Sequence, residues 1–215
     1  MSEAFRIWKI WLATIVRNGR SHIGMSSLPL YVAWDNSNIW LCGRDLSSQK
    51  EPGNEEGFRI HFKQLIEQLK AARTIDRVFV AGSIPPKNDD LWAYLEQANA
   101  NLQLKTQERR IESDGEVAVD EIIQKDMLEY AVDWGKEKPH IFLLLTGDGA
   151  RSEKGEGFIP TLRRVKSLGH SIEVASWSLG LNRKLKQYAE ENGNLTLLDN
   201  FYDKITFIQN GRSAL

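Results

Sequence analysis

Apolar and polar positions along this chain follow two different periods. Short apolar runs bounded by turn residues predict buried strands, and stretches with apolar residues every three or four positions predict helices. The predicted strands cover residues 28–34, 77–81, 102–106, 140–149 and 172–177. Helices are predicted at 56–73, 89–98, 113–134, 158–168 and 182–191, and short apolar runs follow at 195–198 and 205–208. This alternation of strands and helices predicts a three-layer α/β fold with a mainly parallel sheet.

The first predicted strand ends abruptly in polar residues. Its apolar run stops at Asp35, and the side-chain amides of Asn36 and Asn38 follow. In open α/β sheets, ligands bind beyond the carboxyl ends of the strands, so Asp35 lies where chemistry is expected. The structural alternative is a turn in which Asp35 and Asn38 bond backbone groups. Residues 42–55, which come next, are predicted to form a long polar loop.

A second strand has the same design. Its apolar run begins at His140 and is followed by Asp148. If the two strands are neighbours in the sheet, Asp35 and Asp148 face each other across one crevice. Two adjacent carboxylates repel each other unless a cation or a proton lies between them. Because Mg²⁺ and Mn²⁺ prefer such oxygen-rich surroundings, the pair predicts a divalent cation.

The predicted helix before the second strand carries two further carboxylates. Asp126 lies within the apolar stripe, where it needs a cation, a basic side chain or hydrogen-bond donors as a partner. Asp120 lies near the helix start, where the structural alternative is complementation of the helix dipole. The two side chains point about 120° apart on a helix, so they cannot both face one cation. Asp120 is therefore the better direct ligand, and Asp126 is expected beneath the site.

Composition and charge narrow the class of protein. The 215 residues suffice for one domain with a full core, and 41% hydrophobic and 27% charged content is ordinary for a soluble globular chain. A net charge of −1 gives no global attraction to nucleic acid or anionic lipid, so any nucleic-acid surface must be a local basic patch. Cys42 is the one cysteine, which excludes an intrachain disulfide and a thiolate metal cluster.

Several other chemistries are excluded because their motifs are missing. The glycines between Gly147 and Gly157 lack the Gly-Lys-Ser/Thr pattern of a P-loop, and no Gly-x-Gly-x-x-Gly follows the first strand. The four histidines show no metal-ligand spacing, and no Gly-x-Ser-x-Gly occurs. The chemistry left is that of four carboxylates, an arrangement expected for metal-assisted phosphodiester hydrolysis: Asp35, Asp120, Asp126 and Asp148.

Five segments, taken in order, carry a resemblance to a known family. The chain resembles the NYN family of the PIN-like nuclease superfamily in YVAWDNSN, EVAVDEIIQKDMLEYA, FLLLTGDG, IEVASWSLGLNRKLKQYA and LTLLDNFYDKITFI, a span of about residues 28–208. The resemblance implies a Rossmann-like, PIN-like three-layer sandwich with a mainly parallel central sheet. It also implies a metal-dependent endoribonuclease, with Mg²⁺ or Mn²⁺ as cofactor and RNA as partner.

The same resemblance assigns roles to individual residues. Three carboxylates would hold the cation: Asp35, Asp120 and Asp148. Asp126 would be an outer ligand or a support, and Asn38 and Thr146 would orient water or phosphate. Outside the matched motifs, four basic residues are candidates for contacts with the RNA backbone, with ordinary solvated charge as the structural alternative for each: Arg44, Lys50, Arg109 and Arg110.

One position departs from the family pattern. The family often carries a second acid two residues after the fourth-strand aspartate, and here that position is Ala150. An insertion, RSEKGEG, follows, in which Glu153 or Glu156 is a candidate replacement. The missing acid motivates one alternative, a catalytically weak RNA-binding module or adaptor. A small-molecule phosphohydrolase or nucleotide-binding enzyme on a similar sheet also stays open.

The two ends of the chain lie outside the resemblance. Residues 1–27 are predicted to be an N-terminal extension, either an amphipathic helix or a strap, with an apolar stretch too short to span a membrane. Residues 28–208 form the predicted domain, and 209–215 a C-terminal tail. We expect a cytoplasmic or nuclear protein with no membrane contact. Organellar targeting by the N-terminus and a homodimer both stay open.

Overall fold

The computed structural model describes residues 28–82, 104–108, 119–134, 138–147 and 157–214. The strands in these ranges are β1 (Leu30–Asp35), β2 (Phe58–Ile60), β3 (Ile75–Gly82), β4 (Leu104–Glu108), β5 (Ile141–Leu145), β6 (Ser171–Ser176), β7 (Asn194–Leu197) and β8 (Thr206–Ile208). The main sheet is parallel throughout and has the order β4-β3-β1-β5-β6-β7. β2 and β8 form a separate antiparallel pair.

Helices cover both faces of the main sheet. They are α1 (Asn36–Lys50), α2 (Phe62–Lys70), α3 (Val119–Trp134), α4 (Ile159–Ser167), α5 (Arg183–Asn192) and the short α6 (Tyr202–Ile205). Alternate residues of β1 enter different apolar layers: Val32 and Trp34 pack with residues of α1 and α2, and Tyr31 and Ala33 pack with α3, α4 and α5. The predicted three-layer α/β fold with a parallel sheet is therefore confirmed.

The strand order places a crevice at a defined point in the sheet. After β1, the chain adds β3 and β4 on one side and then returns to add β5 on the other side of β1. This reversal between β1 and β5 is the topological switch point, where ligands of open α/β sheets bind. Trp34 near the end of β1 lies opposite Leu145 at the end of β5. The prediction that these two strands are neighbours is confirmed.

Residues 42–55 are mostly helical, so the prediction of a long loop there is wrong. The helix α1 begins directly after Asp35 and continues to Lys50. Its buried face consists of Asn36, Ile39, Gly43, Leu46 and Ser47, which keep the spacing of three or four residues. Three of these five residues are polar or glycine, so the stripe carries too little apolar character to be recognised from the sequence.

The predicted helix at 56–73 divides into three elements. A short 3₁₀ turn at Glu55–Gly57 leads into β2, and α2 begins only at Phe62. Phe58 and Ile60 are both buried, because alternate residues of β2 point into the core while β2 pairs with β8. Phe58 lies four residues before Phe62, a spacing that imitates a helical stripe across a strand and a helix.

The described part of the C-terminal tail packs on the domain. The Gln209 N–H donates to the Gly57 carbonyl at 2.7 Å, and the Arg212 guanidinium pairs with Glu51 beyond the end of α1. The hydrogen bond from Arg212 lowers the pKa of the Glu51 carboxyl. Residues 209–214 therefore anchor β8 to α1.

Two other predictions lie outside the described residues: the N-terminal extension at 1–27 and the helix at 89–98. Within the described ranges, no helix combines the length and apolar character that crossing a bilayer requires.

Candidate functional site

Asp35 joins the end of β1 to the start of α1 at the switch point. Its side chain is buried, at 4% exposure, and its Oδ1 accepts a hydrogen bond from the Asn38 backbone N–H at 3.0 Å. Asp35 is thus the N-cap of α1, and the positive end of the helix dipole faces its carboxylate. Asp35 lies at the strand end, as predicted, and it makes the backbone bond of the structural alternative, although that bond caps a helix and does not form a turn.

Two side-chain hydrogen bonds tie the end of β1 to the end of β5. The Thr146 hydroxyl, one residue beyond β5, donates to Asp35 Oδ2 at 3.2 Å. Asn38 Oδ1 accepts from the Gly147 N–H at 2.7 Å. Asn38 and Thr146 therefore lie at the switch point as predicted, and these bonds make them braces that hold Asp35 and the chain after β5 in register.

Gly147 is a site residue that the sequence alone did not identify. Its carbonyl accepts from the Asn182 N–H at 2.8 Å, just before α5. A Cβ at this position would lie 2.5 Å from the Gly180 carbonyl oxygen, so no larger residue fits without movement of the backbone. The glycine thus allows the end of β5 and the start of α5 to meet beside Asp35.

Asp120 lies at the same end of the sheet as Asp35. Because β4 and β5 are parallel to β1, the connecting helix α3 runs back across the sheet and begins at the carboxyl ends of the strands. Asp120 is half-buried in the first turn of α3, and fully buried Met127 lies seven positions further along the helix. Seven residues are almost two turns, so Asp120 shares the sheet-facing side of the helix with Met127.

Asp126 is held away from this end of the sheet. Its carboxylate pairs with Arg77 and accepts a hydrogen bond from the Tyr31 hydroxyl at 2.5 Å. Tyr31 and Arg77 lie opposite each other near the starts of β1 and β3, and Tyr31 is about 13 Å along the strand from Asp35. The expected basic partner is therefore present. The assignment of Asp126 as an outer ligand needs correction, because this placement makes it a support.

A polar layer continues from Asp126 across the starts of the strands. The Tyr130 hydroxyl donates to Asp76, which also lies 3.1 Å from the buried His140 ring. Burial raises the pKa of Asp76, but the hydrogen bonds from Tyr130 and His140 outweigh it and lower that pKa overall. His170 completes the layer: its Nδ1 accepts from the His140 N–H at 3.1 Å, and its Nε2 lies 3.2 Å from the Ala131 carbonyl. These contacts suit a neutral imidazole.

We expect His170 to make the stability of the fold depend on pH. Burial lowers its pKa below the ordinary value of 6.5, although the Ala131 carbonyl opposes that effect. As the pH falls below 6.5, the unfolded chain takes up a proton that folded His170 resists, so stability declines until the pH reaches the folded pKa. Between about pH 7.5 and 5.5, the melting temperature should therefore fall less for His170→Gln than for the wild type. Equal declines would contradict this role.

Basic side chains border the site at the start of α5. Arg183 and Lys184 are exposed and directly follow Asn182, whose N–H binds the Gly147 carbonyl. Arg44 stacks on Trp40 with its guanidinium carbon 5.1 Å from the ring centre. Lys50 is a poorer candidate for a site contact, because it lies over the Tyr202 ring at the far end of α1. Arg109 and Arg110 lie outside the described residues.

The donor set at the switch point is made of oxygen. It comprises the Asp35 carboxylate, the Thr146 hydroxyl and the side-chain amides that open α1, and the Asp120 carboxylate lies at the same end of the sheet. Oxygen groups of these kinds are the ligands that Mg²⁺ and Mn²⁺ prefer. Within the described ranges, no three His, Cys, Asp or Glu side chains cluster closely enough to hold a metal by themselves. The third predicted ligand, Asp148, lies outside those ranges, one residue beyond Gly147 in the sequence. The oxygen donors present fit a hard cation.

Comparison with known proteins supports the fold. The crystal structure of a protein of unknown function from Vibrio parahaemolyticus superposes with a TM-score of 0.58, at 12% identity, over 82% of this chain and 96% of that one. No protein-family model matches the chain, and no curated protein matches it. The similarity thus extends to the α/β architecture.

Proposed function

We propose that this chain is an Mg²⁺- or Mn²⁺-dependent endoribonuclease of the NYN type. The observation that carries the proposal is the hydrogen bond between Thr146 and Asp35 at the switch point, which braces a buried carboxylate between two strand ends. Asp120 begins α3 at the same end of the sheet. A strand-end carboxylate with a second acid nearby is the arrangement that metal-assisted phosphodiester hydrolysis needs.

In this proposal, the residues of the site divide into ligands and braces. Asp35, Asp120 and Asp148 hold the cation, which when bound supplies positive charge to the phosphate and makes a water molecule more acidic. Asn38 and Thr146 fix the two strand ends, so that Asp35 keeps one orientation as substrate binds. Positioning of this kind lowers the activation barrier because the site does not have to reorganise during the reaction.

A basic rim supports RNA as the substrate. Arg183 and Lys184 lie beside Gly147, and Arg44 lies on α1 two turns beyond the site. Cations placed beside a hydrolytic site suit a phosphate backbone, and such contacts make binding depend on salt.

One feature favours a second candidate, an RNA-binding module with weak catalysis. Ala150 replaces the additional acid of the family pattern, and the described residues contain no complete cluster of three acids. A chain that binds RNA at the same basic rim without efficient cleavage would be an adaptor. The two candidates share a surface and differ in turnover.

Cleavage of labelled single-stranded RNA tests the proposal. The full chain is incubated with the RNA in Mn²⁺, in Mg²⁺ and in EDTA, and with free nucleotides in place of RNA. We expect internal cleavage in either cation and none in EDTA. Binding without cleavage would support the adaptor, and turnover of nucleotides but not of RNA would support a small-molecule phosphohydrolase.

A further inference from the structure

Asn36 is a buried polar residue at the site, and its side-chain carbonyl oxygen has no hydrogen-bond partner among the described residues. It follows Asp35 directly as the first residue of α1 and is 9% exposed. Its Oδ1 is inaccessible to solvent and has no hydrogen-bond partner among the residues that the structure describes. A buried acceptor without a partner destabilises a fold, so the position calls for an explanation.

Asn38 provides an internal comparison in the same helical turn. It carries the same amide two residues later, and its Oδ1 accepts from the Gly147 N–H at 2.7 Å. Thr146 also has a partner, because its hydroxyl donates to Asp35. The side-chain oxygens of Asn38 and Thr146 thus have protein partners, whereas the carbonyl oxygen of Asn36 has none among the described residues.

The other buried atoms without partners lie in different surroundings. In the described ranges these are Trp34 Nε1, Ser47 Oγ and Arg77 Nε. Trp34 belongs to the apolar layer with Phe62, Ser47 is about 16 Å along α1 from Asn36, and Arg77 is near the start of its strand. Of the buried oxygens in this group, Asn36 Oδ1 is thus the one that belongs to the residue directly after Asp35, whose carboxylate lies at the switch point.

We propose that Asn36 Oδ1 is an oxygen ligand, directly or through a coordinated water, of the divalent cation that Asp35 binds. The inference rests on the proposed function, because that function supplies the cation. Amide carbonyls are ordinary ligands of hard cations, and Mg²⁺ keeps several of its waters when it binds proteins. The neighbouring Asp35 carboxylate attracts a cation to this position, which gives the amide oxygen a partner of the right charge.

This assignment predicts opposite effects on cation binding and on the metal-free fold. Asn36→Ala removes both the ligand and the unpaired acceptor, so it weakens cation binding without lowering the melting temperature in EDTA. Asn36→Asp places a second carboxylate beside Asp35, so repulsion lowers the melting temperature in EDTA while Mn²⁺ binding becomes tighter. A residue with only a structural role would not produce this pair of results.

Calorimetric titration of the full chain with Mn²⁺, together with thermal melts in EDTA, tests the inference. The variants are Asn36→Ala and Asn36→Asp. The matched control is Asn200→Ala, because Asn200 is exposed in the 3₁₀ turn after β7, which lies three strands from β1 in the sheet. We expect Asn36→Ala to raise the Kd for Mn²⁺ by about 10- to 100-fold, Asn36→Asp to lower it, and Asn200→Ala to leave it unchanged.

The outcomes separate this inference from the proposed function. If the wild type binds Mn²⁺ and Asn36→Ala binds it equally well, the inference is overturned and the proposed site at Asp35 stands. If the wild type binds no Mn²⁺, the proposed function fails, and the inference fails with it. If Asn36→Ala proves unfolded, Asn36→Asp decides the question, because unchanged or weaker Mn²⁺ binding by that variant overturns the inference.

Discussion

Asp35→Asn is expected to reduce metal-dependent RNA cleavage by about 10²- to 10³-fold, because it removes a charged ligand worth several kcal/mol of transition-state stabilisation. The fold should persist, since asparagine is as good an N-cap as aspartate and can still accept the Asn38 N–H that Asp35 Oδ1 accepts. Initial rates of cleavage in Mn²⁺ measure the effect, and a thermal melt in EDTA verifies the fold.

The matched control for this change is Asp133→Asn, the same substitution at an exposed position near the other end of α3. It should leave the cleavage rate unchanged. Asp120→Asn should reduce the rate as well, because Asp120 begins the same helix at the site end of the sheet. Wild-type rates in Asp35→Asn would show that the chemistry lies elsewhere.

Arg77→Met is expected to destabilise the fold by about 3–5 kcal/mol, because it removes the guanidinium group that neutralises the buried Asp126 carboxylate. Both side chains of this pair are only 12% exposed, so solvent cannot replace the lost partner. Asp126→Leu alone should destabilise for the same reason, with Arg77 as the unpaired group. Denaturant unfolding measured in EDTA gives the free-energy changes independently of any bound cation.

A combined variant separates the loss of an ion pair from the loss of packing. Tyr31 also donates to Asp126, so Tyr31→Phe, Arg77→Met and Asp126→Leu together replace the whole group by apolar side chains. We expect most of the lost stability to return, since apolar replacement of buried ion pairs is often neutral or favourable.

The control on the same helix is Lys125→Met, which should change the free energy of unfolding little, because the pair of Lys125 and Glu129 is exposed. A triple variant as unstable as Arg77→Met would contradict this role.

The sequence predicts those elements whose buried residues are apolar and recur at the spacing of a strand or a helix. The run before Asp35 and the run after His140 are continuous and short, as expected of strands buried on both faces, and they are neighbours in the sheet. The helix α1 could not be recognised, because Asn36, Gly43 and Ser47 occupy its buried face. At Gly43 the helix packs so closely on β2 that there is no room for a larger side chain: a Cβ there would lie 2.7 Å from the Phe58 ring.

The part of the candidate site that lies at strand ends can be predicted from the sequence. Asp35 follows from the rule that ligands bind at the carboxyl ends of parallel strands, whereas Thr146 comes only from the family resemblance. The partner of Asp126 does not follow, because Arg77 is 49 residues away and only the sheet register brings them together. Gly147 and Arg183 also escaped prediction, since their roles depend on the packing of α5 against the end of β5. Contacts between distant segments leave no local pattern to read.

The most direct test of a divalent-cation site at Asp35 is a crystal structure of the full chain soaked in Mn²⁺, with anomalous scattering used to locate the ion. We expect an anomalous peak at the switch point, within about 2–2.5 Å of an Asp35 carboxylate oxygen and with Asp120 directed at the same ion. The absence of a peak beside Asp35, in crystals of a protein that cleaves RNA in Mn²⁺, would contradict this expectation.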